Sequence, residues 1–343
     1  MARILQSRID QIDENSRMPK YRQVINTILR DIDQNHLQPG ERIPSINETS
    51  EEYYLSRDTV EKAYRELSKR GVITSIPGKG YYVNTSPDLA KLKVLVIFNK
   101  LSNYKQAIYS SFVKTLGKHA VTNLYVYGHD YKFFESIILD NLSEYDYYVV
   151  MPHFYEYAAE ASRVLKKIPR NKLLLIDRKP DNLPGNYGIV YQDFQRDIQD
   201  GLRSGLPILE KYSRFCLVFP EDTPYPPEIK AGFQAFCEQH GIAHAIIPSL
   251  ERHNVQAGDA YLVVLEQDLI HLIKASERLS LPLGDKLGII SYNDTPVLDV
   301  LAGGITVITT DHAQMGQTAA DMILNKRRDV VRNPFYLIRR KSL

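Results

Sequence analysis

The chain of 343 residues carries 43 Lys and Arg against 41 Asp and Glu, and 43% of it is apolar. That composition excludes disordered and fibrous classes, and the length suits two or three domains. A formal charge of +2 excludes a uniformly basic nucleic-acid binder but leaves local clustering open. Two cysteines, Cys216 and Cys237, provide no disulfide framework and no metal-ligand spacing. Residues Met1 to Lys20 include Asp10, Asp13 and Glu14 and lack the apolar core of a signal peptide. The apolar runs fall far short of a membrane span, so the expectation is a soluble, cytoplasmic protein with no membrane partner.

In chain order, Val24, Ile25, Ile28, Leu29 and Ile32 form one apolar helical stripe, which Pro39-Gly40 terminates. Ser45-Ile46-Asn47-Glu48 fits a capping box and predicts a second, short helix. A third helix is predicted from about Ser56 to Lys69. Its positions Val60, Ala63, Tyr64 and Leu67 share one arc, while Arg57, Asp58, Glu61, Lys62 and Arg65 share the opposite one. A charged face alone is most often only solvated, with pairs four residues apart such as Glu61–Arg65 and Asp58–Lys62. Here the context argues further. Two short helices precede this one, and residues 71–83 read as strand, Gly78-Lys79-Gly80 turn, strand. That order predicts a winged helix, with the third helix in the major groove and the wing along the backbone. A phosphate-binding loop is excluded, because Gly78-Lys79-Gly80 lacks the required spacing and leads into strand-like Tyr81-Tyr82-Val83.

These residues resemble the GntR family of bacterial transcription regulators. The resemblance rests on Pro19-x-Tyr21, Pro39-Gly40-Glu41-Arg42-Ile43-Pro44-Ser45, Leu55-Ser56-Arg57-Asp58-Thr59-Val60, Ala63-Tyr64-x-x-Leu67 and Gly71-Val72-Ile73 before Gly78 to Val83. It implies that Ser45, Arg57, Thr59, Lys79 and Gly80 touch DNA. Asn47, Ser56, Asp58, Glu61 and Lys62 complete the candidate set by position. Asn47 stands where the family usually has an arginine, and Glu61 where some members have another. Asn47 suits an adenine edge or a phosphate, and Glu61 a cytosine amino group or the orientation of Arg57 and Arg65.

Beyond a polar segment at residues 85–91, read as a linker, short apolar runs alternate with amphipathic stretches. Strands are predicted at 94–98, 124–127, 147–151, 173–176, 215–219, 261–265, 287–290 and 305–308. Helices are predicted at 107–116, 155–167, 229–239, 269–279 and 315–325. Such alternation is the mark of parallel sheets covered on both faces, and roughly 250 residues suit two lobes. The fold class expected is therefore α/β: a winged helix-turn-helix over 1–84, then a two-lobed domain over 92–343.

The second part resembles the LacI-type effector domain, itself similar to periplasmic sugar-binding proteins. The residues that carry this are Leu173 to Arg178, Tyr191-Gln192-Asp193, Gly232 to Phe236 with Gly241-Ile242, Gln267-Asp268, Leu281 to Asp294, and Ile305 to Ile308 with Met315-Gly316 and Ala319-Ala320. Departures are Ile229, where an arginine is expected, and Asn293, where an aspartate is. In parallel α/β sheets ligands sit beyond the carboxyl ends of strands. Residues placed there include Asp177 and Asp294, and the effector candidates are Asn103, Tyr104, His153, Phe154, Arg178, Tyr191, Asp193, Asp268 and Asn293. Arg178 offers a planar donor fork; its bland alternative is pairing with Asp177 or Asp193. Asp268 offers an acceptor; its alternative is capping the helix at Leu269. His153 with Glu156 reads as a surface or cleft pair.

No catalytic motif is present: no Gly-x-Ser-x-Gly, no His-Glu-x-x-His, no Gly-x-Gly-x-x-Gly. The expectation is a homodimeric repressor without a cofactor, on palindromic operator DNA, controlled by a small sugar. The rival is a sugar receptor or sugar-handling enzyme with an incidental N-terminal domain. Residues 1–84 hold 13 basic and 12 acidic side chains, whereas 57–80 hold six and three. Positive charge is thus placed rather than abundant, which predicts reliance on specific contacts.

Overall fold

The computed structural model describes residues 12–13, 16, 18–84, 91–154, 156–180, 183–221, 225–251 and 254–343. The segment expected to be a linker lies outside these except for Lys91. The N-terminal unit runs α1 (Lys20–Asp33), β1 (Arg42–Ile43), α2 (Ile46–Glu52), α3 (Arg57–Lys69), β2 (Ile73–Ile76) and β3 (Gly80–Val83). Its small sheet has the order β1-β3-β2 with antiparallel pairing. The predicted stripes meet in one core: Val24, Ile25 and Ile28 of α1 pack with Val60, Ala63, Tyr64 and Leu67 of α3 and with Ile43, Val72 and Val83. The expected capping box is present, with Glu48 N donating to Ser45 Oγ and Ser45 N donating to Glu48 Oε2.

The second unit continues with β4 (Leu92–Phe98), α4 (Asn103–Leu116), β5 (Ala120–Val126), α5 (Tyr131–Asp140), β6 (Tyr147–Val150), α6 (Ala158–Leu165), β7 (Leu173–Asp177) and β8 (Gly188–Tyr191). Then follow α7 (Phe194–Leu209), β9 (Arg214–Val218), α8 (Glu228–His240), β10 (His244–Ile247), β11 (Asp259–Val263), α9 (Glu266–Leu279) and β12 (Leu287–Tyr292). The chain closes with α10 (Pro296–Val300), β13 (Thr306–Thr310), α11 (His312–Leu324), β14 (Val330–Arg332) and β15 (Phe335–Ile338). Two six-stranded sheets result, ordered β14-β8-β7-β6-β4-β5 and β10-β9-β11-β12-β13-β15. Strands β7, β11, β12 and β13 are buried along their whole lengths, as parallel strands covered on both faces must be.

Three segments pass between the lobes. Strand β8 of the first sheet leads to α7, which packs on α8 and β15 of the second lobe; β13 of the second sheet leads to α11, which packs on α4, β7 and β8 of the first; and β14 of the first sheet leads to β15 of the second. Ligand access at a cleft between lobes is the geometric consequence.

Several elements were not anticipated: α5, α7, β8, β10, β14 and β15. The reason for α7 is instructive. That helix contains Gly201, Gly205 and Pro207, residue types that disfavour a helix interior, yet both glycines sit where it presses on the sheet. A Cβ on Gly201 would stand 2.8 Å from Ile308 Cδ1, and one on Gly205 2.9 Å from Leu337 Cδ1. The helix expected from residue 155 begins at Ala158, and Tyr155 itself lies outside the described residues.

Candidate nucleic-acid interface and effector cleft

The α3 face is built from its cap upward. Ser56 caps the helix, its Oγ accepting from Thr59 N and bonding Thr59 Oγ1 at 2.8 Å. Arg57, Asp58, Glu61 and Lys62 follow on the exposed side. Glu61 accepts from Arg65 Nη2 at 2.8 Å, while Lys62 Nζ lies 4.3 Å above the Tyr21 ring. Tyr64 fixes how α2 and α3 cross. Its buried hydroxyl donates to the Pro44 carbonyl and bonds Thr49 Oγ1, each at 2.7 Å. Tyr81 of the wing stands edge-on to the Tyr64 ring at 4.9 Å. The wing tip closes with Lys79 N donating to Ile76 O, around Pro77 and around Gly78 at φ +73°. Proline followed by a glycine of positive φ is the sequence that a type II turn requires. Lys79 projects exposed from that turn, and Asn47 is exposed on α2. Arg42, exposed on β1, lies against Gly80, whose Cβ position would be 3.3 Å from the guanidinium Nε.

In the second unit a cavity of about 560 Å³ of non-protein space, partly open to solvent, lies at the strand ends of both sheets. From the first lobe it takes Asn99, Lys100, Tyr104, Lys105, His129, His153, Asp177 and Gln192, and from α11 it takes His312. The second lobe supplies Phe194, Tyr225, Pro226, Tyr292 and Asn293. Asp177 ends β7 with φ +75° and Asn293 follows β12 with φ +70°. Aspartate and asparagine tolerate this left-handed conformation better than other side-chain-bearing residues. Lys105 is buried, and its Nζ donates to Asn99 Oδ1. Burial lowers its pKa to about 8, with Asp177 pulling the other way. Asp177 accepts from the Gln192 side-chain amide, and His153 Nδ1 lies 3.9 Å from its other oxygen. Burial holds the His312 imidazole at a pKa of about 4 and lowers that of His129, so both are neutral near pH 7. The Tyr104 ring lies 5.2 Å from that of His312, and Tyr225 stands edge-on to Tyr292 at 5.5 Å.

The family model for bacterial regulatory proteins of the gntR type matches residues 20–83, and that for the periplasmic binding protein-like domain matches 209–343. The HTH-type transcriptional repressor YtrA of Bacillus subtilis is 32% identical over 93 residues, 26% of this chain and 72% of YtrA. The chain belongs to the GntR family of bacterial regulatory proteins. The arabinose metabolism transcriptional repressor of Geobacillus stearothermophilus is 39% identical over 67 residues, 20% of this chain but only 18% of that protein. A lac repressor dimer bound to operator and an anti-inducer superposes with a TM-score of 0.59 at 16% identity, covering 74% of this chain and 94% of the repressor. This GntR-family regulator of transcription thus joins a winged helix to the two-lobed LacI-type fold.

On the regulator's second unit, only part of the sequence-derived set converges. Tyr104, His153 and Asn293 line the cavity. Asn103 opens α4 but is exposed beside it, and Phe154 is core, stacked on Tyr127 at 4.9 Å. Arg178, Tyr191 and Asp193 line a separate, shallower depression. There Arg178 Nη2 pairs with Glu228 at 3.2 Å, not with Asp177 or Asp193. Asp193 caps α7 through Arg196 N. Asp268 is no cap, since α9 already starts at Glu266; its buried Oδ2 has no hydrogen-bond partner among the described residues. His153 is buried against Asp177 rather than paired with Glu156 at the surface. Asp177, placed at a strand end by the sequence, lines the cavity, whereas Lys105, His129, Gln192, Tyr225, Tyr292 and His312 were missed. Gln192 and Tyr292 adjoin the candidates Tyr191, Asp193 and Asn293 in sequence, so a one-position error of strand end hid them. Among the described residues no His, Cys, Asp and Glu group is arranged to hold a metal, and no helix is long and apolar enough to cross a membrane.

Proposed function

We propose that residues 1–84 read a palindromic operator as part of a homodimer, and that residues 92–343 form an effector-binding domain for a small sugar. The protein acts as a cytoplasmic repressor and performs no catalysis. The observation that carries this reading is the cavity at the strand ends, to which both lobes contribute polar and aromatic side chains. Aromatic rings such as Tyr225 and Phe194 suit the apolar faces of a sugar, and Asp177, Gln192 and Asn293 suit its hydroxyls. DNA is read by the exposed α3 face and positioned by the wing, with Arg57, Thr59, Lys79 and Asn47 as principal contacts. Arg42 joins them because it borders the wing. A ligand that prefers one closure of the lobes shifts operator affinity only by its differential affinity for the two states.

Mobility-shift titration of operator fragments tests the DNA reading. Arg57→Ala should weaken specific binding by about 10-fold or more. Binding equal to the parent's would refute the assignment of α3. Relief of operator binding by a monosaccharide or its derivative tests the effector reading.

A further inference from the structure

The charges lining the cavity are unbalanced. Lys100 and Lys105 face it, and among the described residues that line it Asp177 is the single carboxylate. The imidazoles of His129 and His312 add no charge near neutrality, because burial disfavours their protonated forms. Lys105 is the unusual member, with 5% of its surface exposed. Removing an ammonium from water costs several kcal/mol unless a counter-charge and hydrogen bonds replace the lost hydration. Asn99 supplies one neutral acceptor to a group with three donors. Asp177 acts on Lys105 through space, but one of its carboxylate oxygens accepts from Gln192 and the other lies near His153.

Backbone charge points the same way. Tyr104 and Lys105 lie in the first turn of α4, a 14-residue helix with no acidic side chain in that turn. His312 is the first residue of α11, whose positive end is offset by its N-cap Asp311, so α4 is the helix whose first turn adds positive potential at the cavity. Two further observations point to a polar occupant. The Tyr292 hydroxyl, on a residue 6% exposed, has no hydrogen-bond partner among the described residues, nor does Gln192 Oε1. Buried polar atoms without partners are rare and are commonly completed by a ligand or water.

We propose that the effector is an anionic sugar: a monosaccharide whose single carboxylate or phosphate group is held by Lys105 and Lys100, with its hydroxyls on Gln192, Tyr292 and Asn293. This rests on the effector reading above and narrows it. A neutral sugar leaves two ammonium groups facing one carboxylate, and that carboxylate already accepts from Gln192. An acid or phosphate sugar supplies the missing charge and keeps the hydroxyls.

Isothermal titration of the full chain with matched trios provides the test: D-glucose, D-glucuronate and D-glucose 6-phosphate, then the corresponding galactose, galacturonate and galactose 6-phosphate. Inorganic phosphate and acetate control for the bare anion. At least one anionic member should bind more tightly than its neutral counterpart, with the better of carboxylate and phosphate identifying the group. Lys105→Met should reduce that affinity by about 30-fold or more, the scale of removing one partner of a buried charge pair. Lys100→Gln, at a half-buried site, should reduce it less and guards against misfolding of the first variant. Preference for the neutral sugars, or equal losses for neutral and anionic members in Lys105→Met, overturns the anion assignment and leaves the sugar-effector reading intact. Absence of binding by every member overturns both.

Discussion

Gly316 on α11 shows how a single hydrogen atom shapes the cleft. A Cβ at that position would lie 2.2 Å from the Ile108 carbonyl oxygen and 2.9 Å from the Phe112 amide nitrogen, both backbone atoms of α4. Neither can swing aside as a side chain would. Gly316→Ala therefore forces the two helices apart by about 1 Å to restore van der Waals separation. The consequence reaches the cavity, because α4 carries Tyr104, Lys105 and Ile108 while α11 carries His312. Overpacking of a tight contact costs about 1–3 kcal/mol, and an unyielding backbone oxygen places this case near the upper end. For a domain of this size that is a fall in Tm of roughly 6–12 °C. Gly241→Ala is the control. Gly241, unlike the helical Gly316, has positive φ, at +65°, but nothing lies within 4 Å of its Cβ position. It should lose only about 1 kcal/mol through backbone strain. Calorimetry on the two variants separates the effects, and effector titration reports the cleft. If Gly316→Ala melts within about 2 °C of the parent, the α4–α11 contact is looser than the 2.2 Å separation requires.

Three other outcomes follow from the same geometry. Tyr64→Phe removes the hydroxyl shared by Pro44 and Thr49 in a site closed to water, at a cost of about 1–3 kcal/mol. Amide exchange in α2 and α3 should accelerate by roughly 10-fold or more, and a change below about 2-fold would speak against the bond. His312 has a folded pKa of about 4, below the ordinary 6.5, so the unfolded chain takes up its proton first on acidification and stability falls between these values. Asp197 acts oppositely: burial raises it to about 6, so its folded form keeps a proton between 3.8 and 6. Replacing His312 by Gln should therefore leave a variant that gains about 2 kcal/mol on the parent as pH drops from about 6.5 to 4.5. Denaturant midpoints across that range check it, and parallel curves would refute it. Lys79→Ala at the exposed wing tip should lower the salt dependence of operator binding by about one ion and leave sequence preference unchanged.

Much of the N-terminal unit is legible from local chemistry alone. The stripe from Val24 to Ile32, the Ser45–Glu48 box, the Ser56 cap and the Pro77-Gly78 turn each act over a few residues, so their spacing reveals them. The alternation of strand and helix after residue 92 is equally local, since parallel strands covered on both faces must be apolar throughout. What sequence reading cannot supply is how far apart in the chain the cleft's partners lie. Lys105, Asp177, Gln192, Tyr292 and His312 meet only because three crossovers return the chain to the first lobe after β13 and then to the second after β14. Arg178 looked like a ligand arm by type and position, and tertiary packing pairs it with Glu228 instead. The near-neutral balance of the whole chain likewise concealed a local fact: Lys105 keeps its charge near pH 7 although burial lowers its pKa, while burial silences His129 and His312, so positive charge is concentrated at the cavity. Sequence determined the winged-helix module and most of the alternating elements, while α7 and the electrostatics of the cleft were decided by which residues folding packed together and removed from water.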